Sequence, residues 1–215
     1  MISYPEIVID VPVIVIGCGG HSGVLINTLR ECGVQIIGVT DITSQAMTSN
    51  GVKIIGNDEV IFQYPKDEIR IVNGIGSLPG DNRRLAVSQK MDRKGYEFLT
   101  VIDPTARIAK DVQIGQGSQI MAGVVLQTGI VIGKGTVVNT GSIVDHDCNI
   151  GIDSWISPGV TLCGRVTVGE HAYIGAGSTV IQDIHVADNA TVGAGSTILR
   201  DVECAETVIQ KSYDR

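Results

Sequence analysis

The sequence predicts a two-part chain: a small α/β unit built on a parallel sheet, followed by a parallel β-helix of hexapeptide repeats. Three observations carry this. Every sixth residue from Ile108 to Ile198 is Ile, Leu or Val, sixteen in succession. If about a third of residues were of these types, chance would produce such a run with a probability on the order of 10⁻⁸. Before the repeat, apolar strand-like runs alternate with helical stretches, the pattern of a parallel sheet. The first run ends in a glycine-rich turn, G-C-G-G-H-S-G at 17–23, that opens a helix.

The first part reads in order. V-P-V-I-V-I-G (11–17) is a buried strand, and V-L-I-N-T-L-R-E-C-G (24–33) a helix stopped by Gly33. Q-I-I-G-V-T-D (35–41) is a second strand ending at Asp41. V-K-I-I-G (52–56) and E-I-R-I-V-N-G-I-G (68–76) are further strands, and R-R-L-A-V-S-Q-K (83–90) a basic helix. D-P-T-A (103–106) marks the passage into the repeat, so the expected domains are residues 1–102 and 103–215.

In the repeat, the residue two before many of the aliphatics is small: Ser118, Thr136, Ser142, Cys148, Ser154, Ala172, Ser178, Ala190 and Ser196. Positions two apart share one side of a strand, so each hexapeptide sends one large and one small side chain inward. The residue after the aliphatic is often glycine (Gly115, Gly133, Gly151, Gly169, Gly175, Gly193), which is expected to permit the turn. Three hexapeptides close a coil of about 18 residues, and stacked coils bury a continuous core. About five coils fit between residues 108 and 200.

Composition narrows the function. The 215 residues carry a formal net charge of -7, which argues against nucleic acid or an anionic membrane as the main partner. No apolar run approaches the ~20 residues of a membrane helix, and M-I-S-Y-P-E lacks the basic start of a secretory signal. Five cysteines without C-x-x-C spacing read as free thiols, so a cytoplasmic protein is expected.

Two segments carry chemistry. The glycine loop, with Asp41 ending the next strand, suits a phosphate and a ribose or base. Its spacing puts Ser22 where a third glycine would stand, and about 100 residues leave no room for a dinucleotide fold, which favours a nucleotide or nucleotide-sugar. The second is I-V-D-H-D-C-N-I-G (143–151). Val144 and Cys148 point inward in the repeat frame, and His146 and Asp147 outward. A histidine beside a carboxylate is a candidate general base, and the spacing does not say whether Asp145 or Asp147 reaches the ring. His171 and His185 fall at other places in the hexapeptide, so no metal site is expected.

The G-x-G-G-H-x-G loop, the strand-ending aspartate, I-G-S before a basic helix and N-T-G-S-I-V-D-H-D-C-N-I-G together resemble the PglD/NeuD-like sugar acetyltransferases over residues 11–200. The resemblance implies a Rossmann-like nucleotide-sugar domain, a left-handed β-helix for acetyl-CoA, and a homotrimer with active sites between subunits. It implies His146 as general base, Asp147 as its tuning carboxylate, and Gly164 as an oxyanion N–H donor. Ala176 and Ala194 resemble coenzyme A contacts, and Gly17, Gly20, His21, Asp41, Gly76 and Ser77 match the nucleotide-sugar loops. Three departures stand out. Trp155 replaces a second histidine, where it would pack on the pantetheine or a neighbouring subunit. S-L-P-G-D-N-R-R (77–84) is longer than in relatives, with Arg83 and Arg84 read as a solvated helix face. E-T-V-I-Q-K-S-Y-D-R replaces a G-x-P-A ending.

The expected activity is therefore acetyl-CoA-dependent N-acetylation of a nucleotide-linked 4-amino-dideoxyhexose in surface-polysaccharide biosynthesis. The rivals are O-acetylation of a sialic-acid-type sugar, a nicotinamide oxidoreductase using the glycine loop, and a non-catalytic trimeric binding protein.

Overall fold

The structure is a computed structural model and describes residues 11–43, 46–48 and 50–209. M-I-S-Y-P-E and the final six residues, hence most of the C-terminal departure, lie outside these. The chain forms two compact units that divide between Pro104 and Thr105. Among the described residues no helix is long and apolar enough to cross a membrane.

The first unit is a four-stranded parallel sheet. Its strands are β1 (Val13–Ile16), β2 (Ile36–Thr40), β3 (Ile54–Gly56) and β4 (Arg70–Asn73), in the order β3-β2-β1-β4. All of β1 is buried, as expected of a central strand of β-branched residues between two neighbours. Helix α1 (Gly20–Glu31) begins earlier than its apolar pattern predicts, directly after the loop glycines. It ends as Gly33 predicts: Gly33 has φ +71°, its N–H donates to the Arg30 carbonyl, and the Val34 N–H reaches back to Leu29. Helix α2 is Arg83–Lys94. Ile14, Ile16, Ile61, Ile69, Ile71, Met91, Tyr96 and Phe98 form the core here.

The second unit is a parallel β-helix whose two-residue strands fall on three faces. The first face includes Val131–Ile132, Asn149–Ile150 and Thr167–Val168; the second, Val137–Val138, Trp155–Ile156 and Tyr173–Ile174; the third, Ile143–Val144, Thr161–Leu162 and Thr179–Val180. Strands pair in parallel with those 18 residues away, such as Val131 with Asn149. From Ile114 to Ile198 every sixth residue is at most 3% exposed. Burying each such side chain is worth about 1.5–3 kcal/mol before entropy is charged. The small inward positions carry a second ladder. Ser118, Thr136, Ser142, Ser154 and Ser178 each donate their hydroxyl to a carbonyl 15 residues on, at 2.6–2.9 Å. Each buried hydroxyl is thereby satisfied by the next coil, as burial requires.

The glycines behave differently from expectation. Those after the aliphatics are not where the turn is made; the left-handed conformation recurs three residues before each aliphatic. Every sixth residue from Gly117 to Gly195 has φ between +51° and +75°. The glycines after the aliphatics answer to packing instead: a methyl group on Gly133 would lie 2.6 Å from the Ile152 nitrogen of the next coil. The repeat also runs on past Ile198, after a step of four. Val186 bridges to Val202, and Val192 pairs with Val208, each 16 residues on rather than 18.

Candidate active site and substrate cleft

The glycine loop opens a cavity of about 810 Å³ in the first unit. Gly17, Gly20, His21, Asp41, Gly76 and Ser77, six residues spread over sixty positions, all line it. Gly17 takes a positive φ of +88°, and α1 starts with no side-chain cap and no acidic residue in its first turn. Such a helix start presents N–H groups and the positive dipole end to an anion. Ser22 is fully buried where a third glycine was sought, and the close approach it occupies is allowed by Gly74. A methyl group there would come 2.9 Å from Ser22 Cβ and 2.7 Å from the Ile16 carbonyl.

Asp41 holds the loop together. Its carboxylate accepts the Cys18 N–H (2.9 Å) and the Thr43 N–H (2.9 Å). Burial pushes its pKa up, but these N–H donors outweigh that and hold it below the ordinary value. Burial, then the hydrogen bond to Asp41, pushes the Cys18 thiol up, so it stays protonated. Asp58, at the start of an unpredicted 3₁₀ turn (Asp58–Gln63), also lines the cavity and accepts the Thr40 hydroxyl at 2.7 Å.

The two arginines separate. Arg83 is on the cavity wall, solvated as expected, and paired with Asp81, whose carboxyl its hydrogen bonds hold down at about 2. Arg84 departs from the solvated helix face: it is 8% exposed and donates to the carbonyls of Asn73 and Ile75, both at 2.8 Å. With Asn73 accepting the Ile75 N–H, it shapes the loop that carries Gly76 and Ser77.

In the second unit, the turn between the third and first faces resolves the D-H-D motif. Val144 and Cys148 are buried, and the His146 and Asp147 side chains are 42% and 61% exposed. The two aspartates divide the work. Asp145 accepts the His146 backbone N–H at 2.8 Å, whereas Asp147 meets the ring at Nδ1, also at 2.8 Å. Asp147 can turn back on the ring because its φ is +58°, a conformation aspartate tolerates better than most residues. A carboxylate on Nδ1 selects the tautomer whose lone pair is on Nε2.

Glycines bracket the pair. A methyl group on Gly129, in the coil before, would collide with the Asp147 carboxylate. On Gly164, in the coil after, it would lie 2.6 Å from Nε2 and 2.7 Å from Cε1 of His146. The Gly164 N–H donates to no described residue, and the Nε2–Cε1 edge of the imidazole packs against this glycine. Such a pairing can take a proton from a nucleophile while stabilising the oxyanion it creates. Cys148 offers no rival nucleophile: it is buried, hydrogen-bonded to the Cys163 carbonyl at 3.1 Å, and burial pushes its thiol up to about 11.

The remaining residues lie elsewhere in the coil. Ala176 and Ala194, one coil apart and exposed, occupy the turn between the second and third faces. Trp155 is on the second face, paired with Val137 and Tyr173, and only 7% exposed, so little of the indole is open to a ligand.

Comparison with known proteins agrees with this architecture. The PglD N-terminal domain family matches residues 12–91. The bacterial transferase hexapeptide family matches residues 147–182, and the hexapeptide repeat of succinyl-transferase residues 165–200. A sequence search of curated proteins finds no match. Among solved structures, a histidine-to-asparagine variant of perosamine N-acetyltransferase from Caulobacter crescentus, in complex with CoA and GDP-perosamine, is 31% identical. The match covers 94% of this chain and 95% of that one, with a TM-score of 0.86. The acetyltransferase domain of PglB from Neisseria gonorrhoeae is also 31% identical, over 94% and 97% of the two chains, with a TM-score of 0.85. The second unit is accordingly a left-handed β-helix.

Proposed function

The chain belongs to the PglD-like sugar acetyltransferases, and on that premise we propose that it N-acetylates a nucleotide-linked amino sugar with acetyl-CoA. The 4-amino-dideoxyhexose class is the acceptor this reading favours, and the similar protein from Caulobacter crescentus solved with CoA and GDP-perosamine supports an amino sugar linked to a nucleotide. One observation carries the mechanism: the Nε2 edge of His146 lies against Gly164, whose N–H donates to no described residue, and Asp147 on Nδ1 sets the tautomer.

The acceptor amine attacks the thioester carbonyl while Nε2 takes its proton. The Gly164 N–H donates to the oxyanion, a contribution of about 3 kcal/mol for such a donor. Collapse expels coenzyme A as its thiol, the proton returning from the imidazolium. No acyl-enzyme is needed, in keeping with the inward, protonated Cys148. The cavity at Gly17, Gly20, His21, Asp41, Gly76 and Ser77 would hold the nucleotide sugar, making residues up to the 102/103 boundary the acceptor domain. The placement of Ala176 and Ala194 on a different turn from His146 supports a coenzyme A site completed by a second subunit, hence a homotrimer. Among the described residues no cluster of His, Cys, Asp or Glu could hold a metal ion.

Acetyl transfer to UDP-, dTDP- and GDP-linked 4-amino sugars and to free and CMP-linked sialic acid, read by mass spectrometry, tests this. A mass gain on an amino sugar that vanishes in His146→Ala is expected. Gain on sialic acid alone would establish the O-acetyltransferase instead, and a fully active, trimeric His146→Ala would remove the base. Light scattering gives the subunit count.

A further inference from the structure

The left-handed turn position beside His146 forms a column along the coil axis: Gly129, Asp147, Arg165 and Asp183, with φ of 75°, 58°, 60° and 63°. Elsewhere from Gly117 to Gly195 the position holds glycine, aspartate, asparagine or histidine, the types that tolerate it best. Arg165 has no such tolerance, and strain of this kind persists where a site requires it. Its backbone N–H donates to the His146 carbonyl at 2.9 Å, and that of Asp183 to the Gly164 carbonyl at 3.1 Å. Both residues therefore fasten the backbone of the base and of the oxyanion donor.

Their side chains form a two-point ion pair, Arg165 Nε to Asp183 Oδ1 at 2.6 Å and Nη2 to Oδ2 at 2.8 Å. Both are more than half exposed, and an exposed pair of this kind adds little to stability. Its importance is where it keeps the guanidinium. Asp147, the partner of His146, is one coil to one side of Arg165 and Asp183 one coil to the other, about 4.8 Å each way. Arg165 is committed to Asp183, and Asp147 to Nδ1 of His146.

We propose that Arg165 and Asp183 are a positioning pair for acetyl transfer: Asp183 holds the guanidinium away from Asp147, which keeps Asp147 on the His146 ring. This rests on His146 acting as the base. The charged groups facing the ring are few. On its own turn they are Asp145 and Asp147. The coil after brings Arg165, with Asp183 beyond it. In the coil before, residues 127–129 carry no charge; beyond them are Lys110, in the column of His146, and Asp111, which is occupied by the Thr128 hydroxyl and the Gly129 N–H.

The test is a double-variant cycle on the full-length enzyme. Asp183→Asn frees Arg165 to pair with Asp147, so kcat/KM should fall about tenfold or more through misplacement of the ring. The acidic limb of its pH profile should move down by about half a unit as Asp147 is neutralised. Arg165→Gln should move the limb up. In R165Q/D183N no guanidinium remains to capture Asp147, so activity should recover to that of R165Q. An unmoved limb in D183N, or a multiplicative loss in the double variant, would overturn the pair's role. The low-field NMR proton signal of the His146 Nδ1–Asp147 hydrogen bond needs no turnover. It should be lost in D183N and restored in the double variant; its persistence in D183N refutes the proposal. If instead His146→Ala stays active, the proposed function fails, and this signal still reads the pair.

Discussion

Replacing Gly164 by alanine is the sharpest single test of the active-site geometry. Its Cβ would be 2.6 Å from Nε2, 2.7 Å from Cε1 and 3.2 Å from Cδ2 of His146, about 0.8 Å short of ordinary contact at the nearest atom. The Gly164 backbone has no positive φ, so alanine brings no conformational strain of its own. The imidazole must yield, and it can, because it is 42% exposed on an outward turn. Moving it disrupts the 2.8 Å bond to Asp147 and carries Nε2 away from the acceptor. A displacement near 1 Å at a reacting atom costs roughly a hundredfold in rate, about 2.7 kcal/mol of transition-state stabilisation. Steady-state kinetics should therefore show kcat/KM down about a hundredfold, with a thermal midpoint within roughly 2 °C of the parent. Wild-type kcat/KM in Gly164→Ala would refute the placement of the ring over this glycine. An equally large fall in stability would show that the glycine serves the coil and not the chemistry.

Further predictions concern the scaffold and the cleft. Gly133→Ala, whose methyl would strike the next coil's backbone, should prevent folding. Gly141→Ala, with φ +69° and open space around it, should cost only about 1 kcal/mol in denaturant unfolding. Arg84→Met should raise KM for the nucleotide sugar and cost about 2 kcal/mol, by stripping two carbonyls of a charged donor; an unchanged KM would detach Arg84 from the cleft. The Cys148 thiol is raised by burial, so the folded state holds that proton more tightly. Its contribution is full below the ordinary value of 9.0 and is lost as pH rises towards about 11. Cys148→Ala should flatten that alkaline decline while leaving acetyl transfer intact.

Periodicity explains what the sequence revealed of this molecule. The six-residue frame assigns Val144 and Cys148 to its two inward positions and leaves His146 on the turn between them, where the alternation of a strand no longer applies. It could not say which aspartate reaches the ring, since that depends on the left-handed φ of Asp147 and not on spacing. Nor could it separate the two kinds of glycine: the close approach of Gly133 to Ile152 exists only once coils are stacked. Stepping by six beyond Ile198 lands on Cys204, so the four-residue step to Val202 was invisible. Asp58 is on a short 3₁₀ turn without an apolar period, and Arg84 resembles its solvated neighbour until the loop folds over it. The glycine loop was legible because a tight strand-to-helix turn demands glycine at particular places, as at Gly17 with its φ of +88°.

The stacking of residues eighteen apart has a consequence for how mutations combine. Two positions at that separation are nearest neighbours, closer in space than most pairs ten apart in sequence. A map of pairwise epistasis across the repeat should therefore show a stripe eighteen residues off the diagonal. Past Ile198, where the step shortens, the stripe should jump to sixteen.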